Sequence, residues 1–179
     1  VLTEDRFGMK NSAYSFDGKE SHLFGDIEDR KGDFSIFLWA KAEDVEQSRF
    51  RSVINIFDKT PGSKDTCQIH TSGGRYPTYQ FFSSNPESFA LVTTEWQHIG
   101  VTVSGKVIRF YENGEQVYSQ ELEGGEANSF SNLIIGKNRH GDRKYHGSID
   151  DVYVYDRAIG NAEVARIFDG GFEDRDGDG

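Results

Sequence analysis

The sequence predicts an all-β protein: two antiparallel sheets packed as a jelly-roll sandwich, with one short helix near the C-terminus. Three observations carry this expectation. About ten short stretches of strand character recur at near-regular spacing, several with period-2 alternation, and no longer internal repeat suggests a propeller or solenoid. The composition sets 20 Gly, 14 Phe and 8 Tyr against a single Met, the balance of a turn-rich strand protein rather than a helical one. Only the stretch GSIDDVYVYDRAIGNAEVARIF, residues 147–168, holds a short helix, behind a closing strand and a turn.

Residues 13–17 offer the first strand, with Tyr14 and Phe16 on one face and Asp17-Gly18 turning the chain. Residues 33–41 alternate two apolar sets, Phe34, Ile36 and Leu38 against Phe37 and Trp39, so both faces are covered, as in a central strand. Residues 52–57 read as another strand. Residues 66–71 and 79–83 pair across the segment 72–78, which is too long for a tight hairpin. The clearest alternation runs over residues 95–104, with Gln97, Ile99, Val101 and Val103 on one face and Trp96, His98, Gly100 and Thr102 on the other. Asn113-Gly114 between residues 107–111 and 116–121 is a strong hairpin signal. Residues 133–136 form one more strand before the polar loop 137–146. The closing strand, residues 149–155, is expected beside the first. Gly160 then serves as N-cap with Glu163 at the third helical position, residues 162–168 make the helix, and Gly170-Gly171 end it.

Length bounds the architecture at one domain, residues 1–170, followed by an acidic tail, residues 171–179. A net charge of −10 without a basic stripe excludes a phosphate-backbone binder, so no nucleic-acid partner is expected. One cysteine, Cys67, leaves no internal disulfide. No apolar run is long enough to span a membrane, so insertion is not expected. The chain starts at Val1 without a signal peptide and reads as a monomeric module of a longer protein.

Parity places Asp150 with Val152 and Val154, and Asp151 with Tyr153 and Tyr155. A carboxylate on the valine face must be hydrogen-bonded by backbone or hold a metal. The metal expected is calcium, with Asp5, Asn11 and Asp17 of the N-terminal segment as further side-chain donors and backbone oxygens completing the shell. In the tail, Asp174, Asp176 and Asp178 spell the D-x-D-x-D-G opening of a calcium loop, either a calcium site of the intact protein or an acidic tail.

Ligand contacts are expected in the long loops 72–78 and 137–146, because rim loops carry binding. Tyr76, Tyr79 and Tyr145 are the candidate sugar-stacking rings, and Asn138, Arg139, Asp142 and Arg143 the candidate hydrogen-bonding groups.

Several segments together resemble the laminin-G-like modules of the concanavalin A-like lectin/glucanase superfamily, over roughly residues 6–168. The pieces are Arg6-Phe7-Gly8 leading to Tyr14-Ser15-Phe16-Asp17-Gly18, the F-x-I-x-x-W strand from Phe34 to Trp39, and Trp96-Gln97-His98. They continue with the Tyr111-Glu112-Asn113-Gly114 hairpin, Ile134-Ile135-Gly136, and Gly147-Ser148-Ile149-Asp150-Asp151-Val152 with Tyr155-Asp156-Arg157-Ala158. The resemblance implies a jelly roll that binds a glycan or a cell-surface protein, often carries calcium, and works outside the cell or at its surface. Glycan binding and a structural or adhesive spacer role both stand as readings. The superfamily's glucanases carry an E-x-D-x-E acid set, and no Glu here is followed two positions on by Asp. Gln68-Ile69-His70 is similar to the Q-I-H strand of jelly-roll alginate lyases, without that family's arginine-rich and lysine-tyrosine strands. A non-catalytic module is therefore expected, with His70 an exposed or pocket-lining strand residue, and with Trp96 in the core and His98 near the rim.

Overall fold

The computed structural model describes residues 1–45, 50–59, 65–71, 75–76, 90–121 and 129–170. Their strands are β1 (Leu2–Thr3), β2 (Ala13–Asp17), β3 (Leu23–Arg30), β4 (Phe34–Ala42), β5 (Arg51–Phe57) and β6 (Asp65–Thr71). Then follow β7 (Arg75–Tyr76), β8 (Ala90–Leu91), β9 (Gln97–Ser104), β10 (Val107–Glu112), β11 (Glu115–Glu121), β12 (Phe130–Ile135) and β13 (His146–Tyr155), with helix α1 (Asn161–Phe168) closing the domain.

A seven-stranded sheet in the order β1-β2-β13-β4-β9-β10-β11 packs on a four-stranded sheet in the order β3-β12-β5-β6, and β7 and β8 pair separately. All registered pairs are antiparallel, and the first long strand lies against the last, Ile149 opposite Tyr14 and His146 opposite Asp17. The alternation read over residues 95–104 sets Ile99, Val101 and Val103 against Phe34, Ile36 and Leu38 in the core between the sheets. From the other sheet, Val53, Ile54, Ile56, Cys67 and Ile69 complete that core. Four further strands, β1, β3, β7 and β8, lie where the sequence reading left none, and the strand expected over residues 79–83 lies outside the described residues.

The seven-stranded sheet is buried on both faces at its centre because α1 covers its outer side. Val164 and Ile167 pack on Phe37, Tyr111 and Ile159, with Tyr153 and Tyr155 beside them. Glycine at the N-cap brings no side-chain hydrogen bond, so the start is held from within: Gly160 N donates to Glu163 Oε2 at 3.4 Å, and Glu163 is itself gripped by Arg157 at 2.9 Å. The turn at Asn113-Gly114 forms as expected, with both residues at positive φ, 48° and 83°.

Two close approaches depend on glycine. Gly136 has φ +86°, and a Cβ there would stand 2.2 Å from Cδ1 of Phe16. A Cβ on Gly100 would meet Phe37 Cδ1 at 2.2 Å and the carbonyl oxygen of Ile36 at 2.4 Å.

One parity expectation is overturned. Asp150 pairs with Trp39 and Tyr153 with Phe37, so Asp151 and Val152 together oppose Leu38. This β-bulge, with Asp151 at φ +42°, resets the alternation. Asp150 therefore sits with Trp39 and Tyr153 on the outer face, while Val152 and Val154 pack into the core. Trp96 and His98 also exchange their expected places: His98 is fully buried and Trp96 is half-buried at the strand entrance. The reason is α1, whose Phe168 lies 5.9 Å from the His98 ring and 5.4 Å from Trp39.

Candidate functional site

The outer face of the four-stranded sheet changes character across its width. On β3, Phe24, Asp26 and Glu28 point into solvent, whereas on β5 and β6 the same face carries Ser52, Asn55, Gln68 and His70, none with measurable exposure. Alternation fixes this placement, because Cys67 and Ile69 are core residues and their neighbours must turn outward. Asn55 lies opposite Gln68, and Ser52 opposite His70. The row is a strip of polar side chains on a sheet whose other face is mostly apolar.

The 137–146 loop forms part of the cover. It is strapped to β5 by Ser52 N donating to Arg143 O at 3.1 Å, and its own ends are tied by Tyr145 N donating to Gly136 O at 2.8 Å. Asn138 organises the turn: its Nδ2 donates to Asp142 Oδ1 at 2.7 Å, and its Oδ1 accepts from the backbone N–H groups of Asp142 and Arg143 at 3.2 and 3.3 Å. The Asn138 amide holds the Asp142 carboxyl below its usual range. Arg139 N donates to Asn55 Oδ1 at 3.0 Å, and its guanidinium lies 5.9 Å from the Phe57 ring centre. The Arg143 guanidinium stands 4.9 Å over the Phe50 ring and 3.5 Å from Gln68 Oε1. Phe50 in turn meets the His70 ring edge to face at 5.1 Å.

Three of the polar groups beneath this cover have no hydrogen-bond partner among the described residues: Gln68 Nε2, Ser52 Oγ, and both ring nitrogens of His70. Burial, reinforced by the positive charge of Arg143, pulls the His70 imidazole down to about 4, so it is neutral at pH 7. Native interiors rarely leave such groups unpaired. Gln68 and His70, a Q-x-H alternation flanked by core residues, were the legible signal for this strip, whereas the expected ligand contacts were placed in the loops 72–78 and 137–146. His70 is a buried residue, not an exposed one.

The candidate ligand residues divide. Asn138, Arg139, Asp142 and Arg143 come together over β5 and β6, although Asn138 is buried and serves the loop's own turn. Tyr145 is excluded from sugar stacking: it is fully buried in the core, 6.5 Å from the Phe16 ring, because the strap at Gly136 turns it inward. Tyr76 is seen only as a strand position opposite Ala90, and Tyr79 lies outside the described residues.

The expected calcium donors do not form one set. Asp17 is four residues along β2 from the level of Asp150, about 13 Å at strand rise. Its Oδ1 accepts from the backbone N–H groups of Lys19, Glu20 and Ser21, which hold its pKa well below the carboxylate range, Ser21 foremost. Asp5 Oδ1 accepts from Phe7 N and Met9 N at 2.8 Å each, and Asn11 is an exposed turn residue at φ +62°. The cation beside Asp150 and Asp151 is the guanidinium of Arg6, which also lies 4.8 Å over the Trp39 ring. No group of three or more His, Cys, Asp or Glu side chains placed to hold a metal ion exists among the described residues. Asp174, Asp176 and Asp178 lie outside the described residues.

Residues 16–165 match the laminin-G family model of the concanavalin A-like lectin/glucanases superfamily. The chain belongs to this superfamily. A mouse (Mus musculus) relative, pappalysin-1, is 31% identical over 130 residues, covering 63% of this chain and 8% of its own length. Solved structures share the superfamily fold at low identity. The botulinum neurotoxin serotype D ligand binding domain in complex with N-acetylneuraminic acid aligns with a TM-score of 0.67 and 16% identity, over 91% of this chain and 43% of that one. Trypanosoma rangeli sialidase in complex with sialic acid aligns with a TM-score of 0.70 and 12% identity, over 94% of this chain and 28% of that one. The chain thus spans under half the length of each of these proteins. No helix among the described residues of this superfamily member is long and apolar enough to cross a membrane.

Proposed function

We propose that this chain is a non-catalytic glycan-binding module of a secreted or cell-surface multidomain protein, and that it binds on the outer face of β5 and β6 under the 137–146 loop. The observation that carries the reading is the buried row of Ser52, Gln68 and His70, whose polar atoms lack partners among the described residues. A sheet face built only for packing would be apolar, since each unpaired buried polar group costs about 1–3 kcal/mol. Two arginines and two phenylalanines beside the row are the group types that hold sugars, by hydrogen bonds and by ring stacking.

Membership of a superfamily that includes lectins supports binding, as do two solved neighbours whose complexes contain sialic acid or N-acetylneuraminic acid. Likeness to pappalysin-1 supports an extracellular setting. A binding role fits the row's chemistry better than catalysis. His70 is held neutral near pH 7, and neither of its ring nitrogens has a carboxyl group as hydrogen-bond partner among the described residues.

The test is binding of the purified chain to a panel of immobilised neutral and acidic glycans, with the Gln68→Leu variant alongside. Binding that this variant removes, without turnover of the bound polysaccharide, is expected. Binding that survives Gln68→Leu unchanged would move the site elsewhere, and reducing-end release abolished by His70→Ala would make the chain an enzyme.

A further inference from the structure

We propose that the flank of the sandwich between β3 and the second half of β13 is a docking groove for an extended peptide segment of a protein partner, with apolar side chains at alternate positions and a basic residue at each end. The groove is separate from the glycan-binding face, which lies on β5 and β6 at the far side of the four-stranded sheet.

β13 is ten residues long, but β2 is registered only with His146 to Ile149. Beyond Ile149 no strand among the described residues continues that side of the seven-stranded sheet, while β4 still pairs with β13 as far as Tyr155 on the other. The bulge at Asp151 falls where the pairing with β2 stops. A strand paired on one side turns the N–H and C=O of every second residue away from its neighbour, so the second half of β13 presents a sheet edge. Burial agrees. Gly147, Ile149 and Asp150 are buried, whereas every residue from Asp151 to Tyr155 is half-buried, although Val152 and Val154 pack on the core and Tyr153 and Tyr155 on the cluster under α1. The edge is therefore open on a strand that is held from both faces.

Apolar space lies alongside it. One cavity of about 340 Å³ is lined by Ile27, Phe130 and Val154 together with Glu28, Arg30 and Asp156. A second, of about 280 Å³, lies towards β2, lined by Leu23, Ile135, Ile149 and Val152 together with Asp150 and Asp151. A strand added beside β13 sends every second side chain to one face, which places alternate apolar groups in this seam.

Charge decides the ends of the segment. Arg30 is shared between Glu28 at 3.1 Å and Asp156 at 3.3 Å, one cation against two carboxylates. Arg6 is likewise shared between Asp150 and Asp151. Each cavity thus keeps a carboxylate in surplus, and the two acidic groups lie five to six residues apart along β13, roughly 17–20 Å at strand rise. A second copy of this chain would bring a net charge of −10 to the same place, so a basic partner fits and self-association does not.

The probe is a fluorescein-labelled heptapeptide, Lys-Thr-Val-Thr-Val-Thr-Lys, titrated with the purified chain and followed by fluorescence anisotropy. Its lysines and valines share one face. Binding is expected, and replacing both lysines with glutamate, or moving the valines to adjacent positions, is expected to weaken it by about tenfold or more. The double variant Glu28→Lys and Asp156→Lys is expected to weaken the peptide by about the same factor, and it keeps the fold because those side chains are 85% and 59% exposed. Lys106→Ala, in the β9–β10 turn, leaves binding unchanged. Hydrogen exchange places the contact: backbone amides within residues 152–155 are expected to exchange more slowly in the complex. No binding at millimolar peptide, equal affinity for the rearranged peptide, or protection confined to another edge such as β11 would each overturn the proposal. Dimers in sedimentation velocity that the double variant abolishes would assign the groove to a second copy and overturn the partner. The glycan panel stands apart from all of these outcomes, so either site can fail without the other.

Discussion

Replacing Arg6 by alanine tests how the N-terminal segment is locked to the sandwich. The Arg6 side chain is only 10% exposed, its Nη1 is 3.4 Å from Asp150 Oδ2, and it also contacts the carboxylate of Asp151. Its guanidinium lies over Phe7 at 4.3 Å and over Trp39 at 4.8 Å. Removing one partner of a fully buried pair costs about 3–5 kcal/mol, because the other charge is left without compensation. Here the Asp151 side chain is 37% exposed and regains water, so the expected loss at pH 7 is nearer ~3 kcal/mol, of which roughly 1 kcal/mol is lost stacking. For a chain of this length that lowers the melting midpoint by roughly 6–12 °C.

The loss depends on pH with a defined sign. Burial, with the neighbouring Asp151 carboxylate, raises the pKa of Asp150 above its usual 3.8, even with Arg6 in place. Asp150 therefore favours the folded state below about pH 3.8, where it is neutral in both states, and that contribution fades as pH rises through its folded pKa. Arg6 offsets the penalty of the ionised form, so its removal matters more at pH 7 than in acid. Urea unfolding of wild type and Arg6→Ala at pH 7 and pH 4 measures both values. A loss equal at the two pH values, or below ~0.5 kcal/mol at pH 7, would refute the argument, and Asp150→Asn in the Arg6→Ala background is expected to restore part of the stability.

Three further outcomes are expected. His70 and His98 are both lowered to about 4, by burial first and then by Arg143 and Arg6, so each stabilises the fold above pH 6.5 and that stability is lost as pH falls toward 4. The slope is up to ~1.4 kcal/mol per pH unit for each histidine, and His98→Leu should flatten the urea-midpoint profile over that range. Asn138→Ala removes three hydrogen bonds of the 137–146 turn and should cost about 1–2 kcal/mol by urea unfolding while weakening any glycan bound there. Gly100→Ala drives a methyl group into Phe37 and the Ile36 carbonyl, and a loss of about 3 kcal/mol is expected by the same assay.

Much of the fold was legible because strand alternation and turn chemistry act over a few residues. The segment over residues 95–104, the Asn113-Gly114 turn and the α1 start at Gly160 with Glu163 all stand as read. β3 escaped because an edge strand with one solvent face needs few apolar residues, and LFGDIEDR shows only Leu23 and Ile27 inward. At the site, the sequence marked the cations of the 137–146 loop but could not say which side chains lie beneath them.

What the sequence determined by itself is the class of fold, its family resemblance, and the alternation that makes Gln68 and His70 neighbours on one face. Tertiary structure alone decided which polar groups are buried. The bulge at Asp151 moved Asp150 from the valine face to the side of Arg6, and the tie between Tyr145 and Gly136 sent a would-be sugar-stacking ring into the core. The physical reason is range: alternation is set by the local backbone, whereas a bulge and the cover over a sheet face depend on residues as far apart as Arg6 and Asp150, or Gln68 and Arg143.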